Sequence, residues 1–155
     1  ENYDQAQVDR LCQAMGWQLY NEKNAIRLVN MAVDESGHGD RAPAKRFKVL
    51  GVLRDALRQK SMGIIEEIPE KGITKYAKPA GVVCSLSPTT NPLVTPMSVG
   101  IYAIKCKDAV IFGPHPASKK ASNYVVHLMR NALKHAGAPE DLLQSVESLH
   151  TRLPS

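Results

Sequence analysis

Two short stretches carry residues whose types could do chemistry. SLSPTTNPLVTPM, Ser85 to Met97, sets three prolines, three threonines and an asparagine directly after the apolar run GVVC. GPHPASKK, residues 113–120, follows a second apolar run, AVIF at 109–112, in the same manner. Hydroxyls, an amide, an imidazole and lysines at such points are donors and acceptors for a polar ligand, and in an open α/β sheet ligands bind beyond the carboxyl ends of the strands, where loops lead into helices. Asn91 is also a plausible helix N-cap with Pro92 at the first helical position, so the prolines and hydroxyls would shape the loop while starting a helix. Capping alone and ligand binding are both open for one such loop; two loops in equivalent positions favour a ligand.

Other constellations point nowhere. His38, His115, His127, His135 and His150 show no metal-ligand spacing with Cys or carboxylates, and a single sequence supports no Ser-His-Asp arrangement. Glu66 and Glu67 are adjacent in an alternating segment, so they face opposite sides and cannot act as a carboxylate pair. Cys12, Cys84 and Cys106 are an odd set without CxxC spacing, each in a segment that reads as buried helix or strand, which predicts reduced core thiols. Neither G-x-G-x-x-G nor G-x-x-x-x-G-K-[ST] occurs, so a nucleotide site here needs another loop chemistry.

The elements that must position the two loops are legible from periodicity. Val8, Leu11, Cys12, Met15 and Leu19 make one helical face; Ile26, Val29 and Val33 make a second behind Asn21, ending at Gly37 in DESGHGD; Pro43 opens a third, with Phe47, Leu50, Leu53 and Leu57 on one side. GIIEEIPEKGITKYAKP then alternates, turns at PEKG and alternates again, a charged hairpin expected as an exposed arm. From Ala80 the order is strand, helix, strand, helix, strand. Leu93, Met97, Ile101 and Ile104 form the first helical stripe, Val125, Leu128, Met129, Ala132 and Leu133 the second, and DLLQSVESL offers the last strand. Continuous apolar strands of this kind predict a parallel sheet covered on both faces. The fold class is therefore α/β, in three parts: an N-terminal helical region over 1–62, a β-hairpin arm over 63–79, and a partial Rossmann-like β-α-β-α-β domain over 80–155.

Composition agrees. The 155 residues are 43% hydrophobic and 23% charged, as in one ordinary globular domain. No apolar stretch reaches the length of a membrane span, and the opening ENYDQAQVDR lacks the basic and apolar regions of a signal peptide, which predicts a cytoplasmic protein without a membrane partner. The net charge of +5 is dispersed, with two Phe and one Trp to stack on bases; it predicts no nucleic-acid partner and a surface suited to an anionic small molecule.

The segment KPAGVVCSLSPTTNPLVTPMSVGIYAIKCKDAVIFGPHPASKKAS resembles the first cofactor-binding strands of the CoA-acylating aldehyde dehydrogenases, the branch of the aldehyde dehydrogenase superfamily that includes acetaldehyde, propionaldehyde and sulfoacetaldehyde dehydrogenases. PTTNP and PHPASKK together, about two dozen residues apart, carry the likeness, with support from DESGHGD and GAPEDLL. The resemblance implies an NAD or NADP site on a Rossmann-type sheet without the usual glycine pattern, with coenzyme A as co-substrate and a small aldehyde as substrate. It implies that the Asn91 amide donates to the oxyanion of a thiohemiacetal, that Ser87, Pro88, Thr89 and Thr90 border the nicotinamide side, and that Pro114, His115 and Pro116 border the adenosine or CoA adenine side, with Lys119 toward phosphate. It further implies a homo-oligomer joined through the 63–79 hairpin and a cysteine nucleophile in a catalytic domain that this sequence does not contain. Two readings follow: the cofactor-binding N-terminal part of such an oxidoreductase, inactive alone, or a non-catalytic nucleotide-binding or oligomerisation module of the same fold.

Overall fold

A computed structural model of the chain describes residues 3–41 and 46–147. Three helices come first: α1 (Gln5–Tyr20), α2 (Glu22–Ser36) and α3 (Arg46–Arg58). Asp4 starts α1 with a reciprocal capping box, its carboxylate accepting from the Gln7 amide while the Gln7 side chain accepts from the Asp4 amide; such caps contribute about 1 kcal/mol. The predicted face of α1 is buried throughout. Asn21 caps α2 and Gly37 closes it in the left-handed region, φ 68°, where a side chain would be strained.

The inward faces of the next two helices differ from the sequence expectation. In α2 the buried positions are Ala25, Leu28, Val29 and Ala32, and Ile26 is exposed. In α3 they are Val49 and Ala56, with Val52, Leu53 and Leu57 half-buried, whereas Phe47 and Leu50 face outward. In α2 the small Ala25 takes the close side, so Ile26 one position away is turned out. The expected opening of α3 at Pro43 lies outside the described residues.

The arm is an antiparallel hairpin, β1 (Gly63–Ile68) with β2 (Ile73–Ala77), turning through a single 3-10 turn that Gly72 closes at φ 61°. Its register slips between Ile64 and Glu66, and Glu66 pairs with Lys75 at 2.5 Å. Ile64, Ile65, Ile73 and Tyr76 are exposed, as expected of an arm.

β3 (Val82–Ser87), α4 (Val94–Lys105), β4 (Ala109–Pro114), α5 (Lys119–His135) and β5 (Leu143–Ser145) complete the chain, with a parallel sheet in the order β3-β4-β5. Helices α4 and α5 pack closely: a Cβ on Gly100 would lie 2.8 Å from Met129 Cε. A single hydrophobic cluster runs from Val8 and Met15 of α1 through Met97 and Ile101 of α4 to Phe112, Met129 and Leu143. Lys105, buried in α4, pairs with Asp9 of α1 inside this interface.

Among the described residues the sheet is covered on one face only, which corrects the expectation of two. Val83, Ser85 and Ser87 of β3 and Val110, Phe112 and Pro114 of β4 turn toward the helices. Their neighbours do not: Val82 is 68% and Leu86 78% exposed, and Cys84 and Ile111 lie on the same open side. A run such as GVVC fits a strand buried on both faces or on one, and nothing local in it distinguishes the two. Among the described residues no helix is long and apolar enough to cross a membrane.

Candidate functional site

The register of β3 with β4 sets Ser87 beside Pro114, the last residues of both strands. The two polar loops therefore leave the same carboxyl edge side by side. The His115 amide donates to the Ser87 carbonyl at 3.0 Å, joining them directly. The sequence-predicted residues Ser87 to Asn91 and Pro114 to Lys119 thus lie on adjacent loops at one edge of the sheet.

In the first loop, α4 begins at Val94 with Leu93 as its N-cap and no side-chain capping bond. Asn91 is thus not the N-cap, and Pro92 is not the first helical residue. What Asn91 supplies to the helix is its carbonyl, which accepts from the Thr95 amide at 3.2 Å. Pro92 and Leu93 are buried, while Pro88, Thr90 and Asn91 are exposed. The helix starts later than the residue types suggest because the buried pair must reach the core first. The Ser122 hydroxyl of α5 donates to the Pro92 carbonyl at 2.8 Å in a buried bond that the sequence alone could not reveal. The side chains of Thr89, Thr90 and Asn91 make no hydrogen bond to the described residues. Their donors and acceptors are open to a ligand.

In the second loop, His115 Nδ1 accepts from the Ala117 amide at 3.1 Å, and a 3-10 turn over Pro116–Ser118 leads into α5. The exposed ring keeps Nε2 available. Ser118 heads α5 without a side-chain cap. Its place is taken by Glu35 of α2, whose two carboxylate oxygens accept from the Lys120 and Ala121 amides at 2.8 and 2.9 Å. An anion at a helix N-terminus satisfies orphan N–H groups and complements the helix dipole. Here the protein supplies the anion itself, from DESGHGD, so a ligand phosphate would compete with Glu35 for this position. Lys119, half-buried in the first turn of α5, lies beside it.

Beneath the loops the Ser87 and Ser118 hydroxyls are buried without a hydrogen-bond partner among the described residues. A buried hydroxyl left unpaired costs about 1–3 kcal/mol, and Ser87 lies at the strand end where a ligand's polar group would approach.

The cysteines divide differently from the sequence expectation. Cys12 is a core thiol, donating to the Ile101 carbonyl, with burial pushing its pKa up to about 12. Cys84 and Cys106 are exposed, correcting their placement in buried segments. Cys84 is on the open face of β3, pointing away from the helices by strand alternation, and Cys106 follows the last turn of α4. Desolvation first, then the nearby Asp108 carboxylate, raises the Cys106 thiol, the opposite of what a thiolate nucleophile needs. Among the described residues no cluster of His, Cys, Asp or Glu could hold a metal.

No protein-family model matches the chain. Curated relatives do. The chain is 47% identical over 150 residues to a sulfoacetaldehyde dehydrogenase of Acholeplasma, covering 95% of this chain and 31% of that protein. It is 42% identical over 149 residues to an acylating sulfoacetaldehyde dehydrogenase of Bilophila wadsworthia, 94% of this chain and 32% of that one. Among solved structures, an acetylating aldehyde dehydrogenase of Geobacillus thermoglucosidasius superimposes with a TM-score of 0.84 at 29% identity, covering 97% of this chain and 33% of that chain. A propionaldehyde dehydrogenase of Rhodopseudomonas palustris, solved with bound CoA, gives 0.72 at 25% identity, covering 95% and 34%. The chain spans about a third of the length of the relatives it matches.

Proposed function

Because this chain is homologous, over nearly all of its length, to the N-terminal portion of the CoA-acylating aldehyde dehydrogenases, we propose that it forms the cofactor-binding part of an NAD(P)-dependent enzyme that converts an aldehyde and CoA to an acyl-CoA. The observation that carries this reading is the joined pair of loops at the carboxyl edge of β3 and β4, with the Thr89, Thr90 and Asn91 side chains left unpaired.

The uncharged hydroxyls of Thr89 and Thr90 suit the carboxamide and ribose of a nicotinamide nucleotide, with Ser87 and Pro88 shaping the loop beneath them. His115 and Pro116, exposed after the buried Pro114, are the groups of this loop that could meet an adenine, with Lys119 in the helical turn that follows. When bound, the dinucleotide supplies the hydride acceptor. Coenzyme A enters as co-substrate.

The chain's own contribution to the chemistry is Asn91. Its exposed amide would donate to the oxygen that becomes negative when a thiol adds to the aldehyde carbonyl, and such a preorganised donor contributes about 3–4 kcal/mol to the transition state. In this reading the thiol comes from outside these residues; Cys12 is buried, and desolvation and the Asp108 carboxylate raise the Cys106 thiol, which suits neither to the part. In the same reading the enzyme is a homo-oligomer that pairs through the 63–79 hairpin, whose strands leave both outer edges free within the two-stranded sheet, and exposed edges favour strand addition. In this reading the cofactor-binding part is 80–155, whose helices α4 and α5 share a core with α1.

The test joins this chain to the remaining two thirds of the Acholeplasma relative and measures turnover. Asn91→Ala is expected to fold and bind cofactor, yet to lose on the order of a hundredfold in kcat. Wild-type kcat in that variant would remove the oxyanion role.

A further inference from the structure

Asn91 can act only if its amide is held in place, and the groups that hold its backbone are visible. On its carbonyl side, Asn91 O accepts from the Thr95 amide. One residue later, the Pro92 carbonyl is bound by the Ser122 hydroxyl at 2.8 Å, a contact that crosses 30 positions of sequence and lies wholly within the core. Pro92 has a fixed φ and is itself buried. Ser122 is 1% exposed, flanked by the fully buried Ala121, whose amide is bound to Glu35. The backbone leaving Asn91 is thus pinned to α5, and the Asn91 side chain is the free end of a short, rigid lever.

We propose that Ser122 is a positioning residue for Asn91: its hydrogen bond to the Pro92 carbonyl aims the Asn91 amide at the reacting oxygen. The inference rests on the oxyanion role proposed for Asn91. Without the hydroxyl, the Pro92 carbonyl loses its partner in a dry site and the loop must shift to find another, and displacements of about 1 Å at a reacting group cost on the order of a hundredfold in rate. Ser122 is 1% exposed and its hydroxyl is spent on the Pro92 carbonyl, so its effect on the reaction passes through the loop that carries Asn91.

That dependence gives the test, made in the joined enzyme described above. Ser122→Ala is expected to lower kcat by roughly ten- to a hundredfold with little change in KM for the cofactor. The same substitution in an Asn91→Ala background is expected to lower kcat no further, since the amide it positions is already gone. Val126→Ala, on the same helix and equally buried, serves as the control for general destabilisation: melting falls and kcat is kept. In the 155-residue chain itself, Ser122→Ala should speed hydrogen exchange at the Thr95 amide while Val126→Ala leaves it unchanged. Should Ser122→Ala not fold, Ser122→Cys fills the site with a weaker donor and gives an intermediate kcat. An impaired Asn91→Ala enzyme with an unimpaired Ser122→Ala enzyme, or a fully multiplicative double variant, would overturn the positioning role and leave the oxyanion reading standing. Full activity in Asn91→Ala would overturn the oxyanion reading, and this inference with it.

Discussion

Asn91 carries most of the functional argument at the scale of single residues, and its surroundings separate two roles that its type leaves confounded. A capping asparagine lends its side-chain oxygen to a helix, and removing it costs about 1 kcal/mol. Here the side chain makes no hydrogen bond to the described residues, and only the carbonyl, which every residue has, serves α4. Asn91→Ala in the isolated chain is therefore expected to leave the melting transition within about 0.5 kcal/mol of the parent, as for an exposed substitution away from special features. Thermal denaturation followed by circular dichroism checks this, and a loss of 1 kcal/mol or more would return the residue to a structural part. The loop's presence was legible because PTTNP follows an apolar run. Its geometry was not, because α4 starts two residues later than N-cap and proline preferences place it, at a position set by the Ser122 contact from a helix about thirty residues away.

At the scale of elements, helix α5 is where α2 and the loop before α4 meet. Its first turn receives Glu35 from α2 and holds Pro92 before α4, so it locks both loops to the N-terminal helices. The pattern of α5 was plain in its apolar stripe, every member of which is buried. The partner of its N-terminus was not, since Glu35 precedes it by 85 residues and DESGHGD by itself reads only as a helix end. Loss of two charge-assisted bonds at a helix N-terminus costs about 1–2 kcal/mol. Glu35→Ala should destabilise the chain by that amount and raise hydrogen exchange first at Lys120 and Ala121. Glu35→Gln, keeping one acceptor oxygen without the charge, should lie between. Equal exchange rates at those two amides in the parent and in Glu35→Ala would show that Glu35 does not hold the helix. The prediction is independent of catalysis, so it tests the scaffold of the site alone.

At the scale of the whole molecule, exposed apolar side chains among the described residues include, besides Trp17, Phe47 and Leu50 of the N-terminal helices, two sets on the strands. One is the open face of the sheet, Val82, Leu86 and Ile111; the other is the hairpin, Ile64, Ile65, Ile73 and Tyr76. Contiguous apolar patches on a soluble surface mark contacts with something else, and the two differ in what they can accept. A sheet face offers side chains only and takes a helix or loop laid across it. A hairpin offers, besides side chains, two rows of unpaired backbone N–H and C=O groups, which a strand from a second copy can complete at low entropic cost. The Glu66–Lys75 pair, which follows the register slip in the hairpin, discourages indiscriminate pairing, as charges on edge strands do. Self-association of the isolated chain is therefore expected to run through the hairpin. In analytical ultracentrifugation the chain should sediment above the monomer at high concentration. Tyr76→Lys, placed on the hairpin with Ile73→Lys, should return it to the monomer, and Leu86→Lys on the sheet face should not. If Leu86→Lys alone dissolves the association, the sheet face is the contact. A monomer throughout would leave both surfaces to partners other than a second copy.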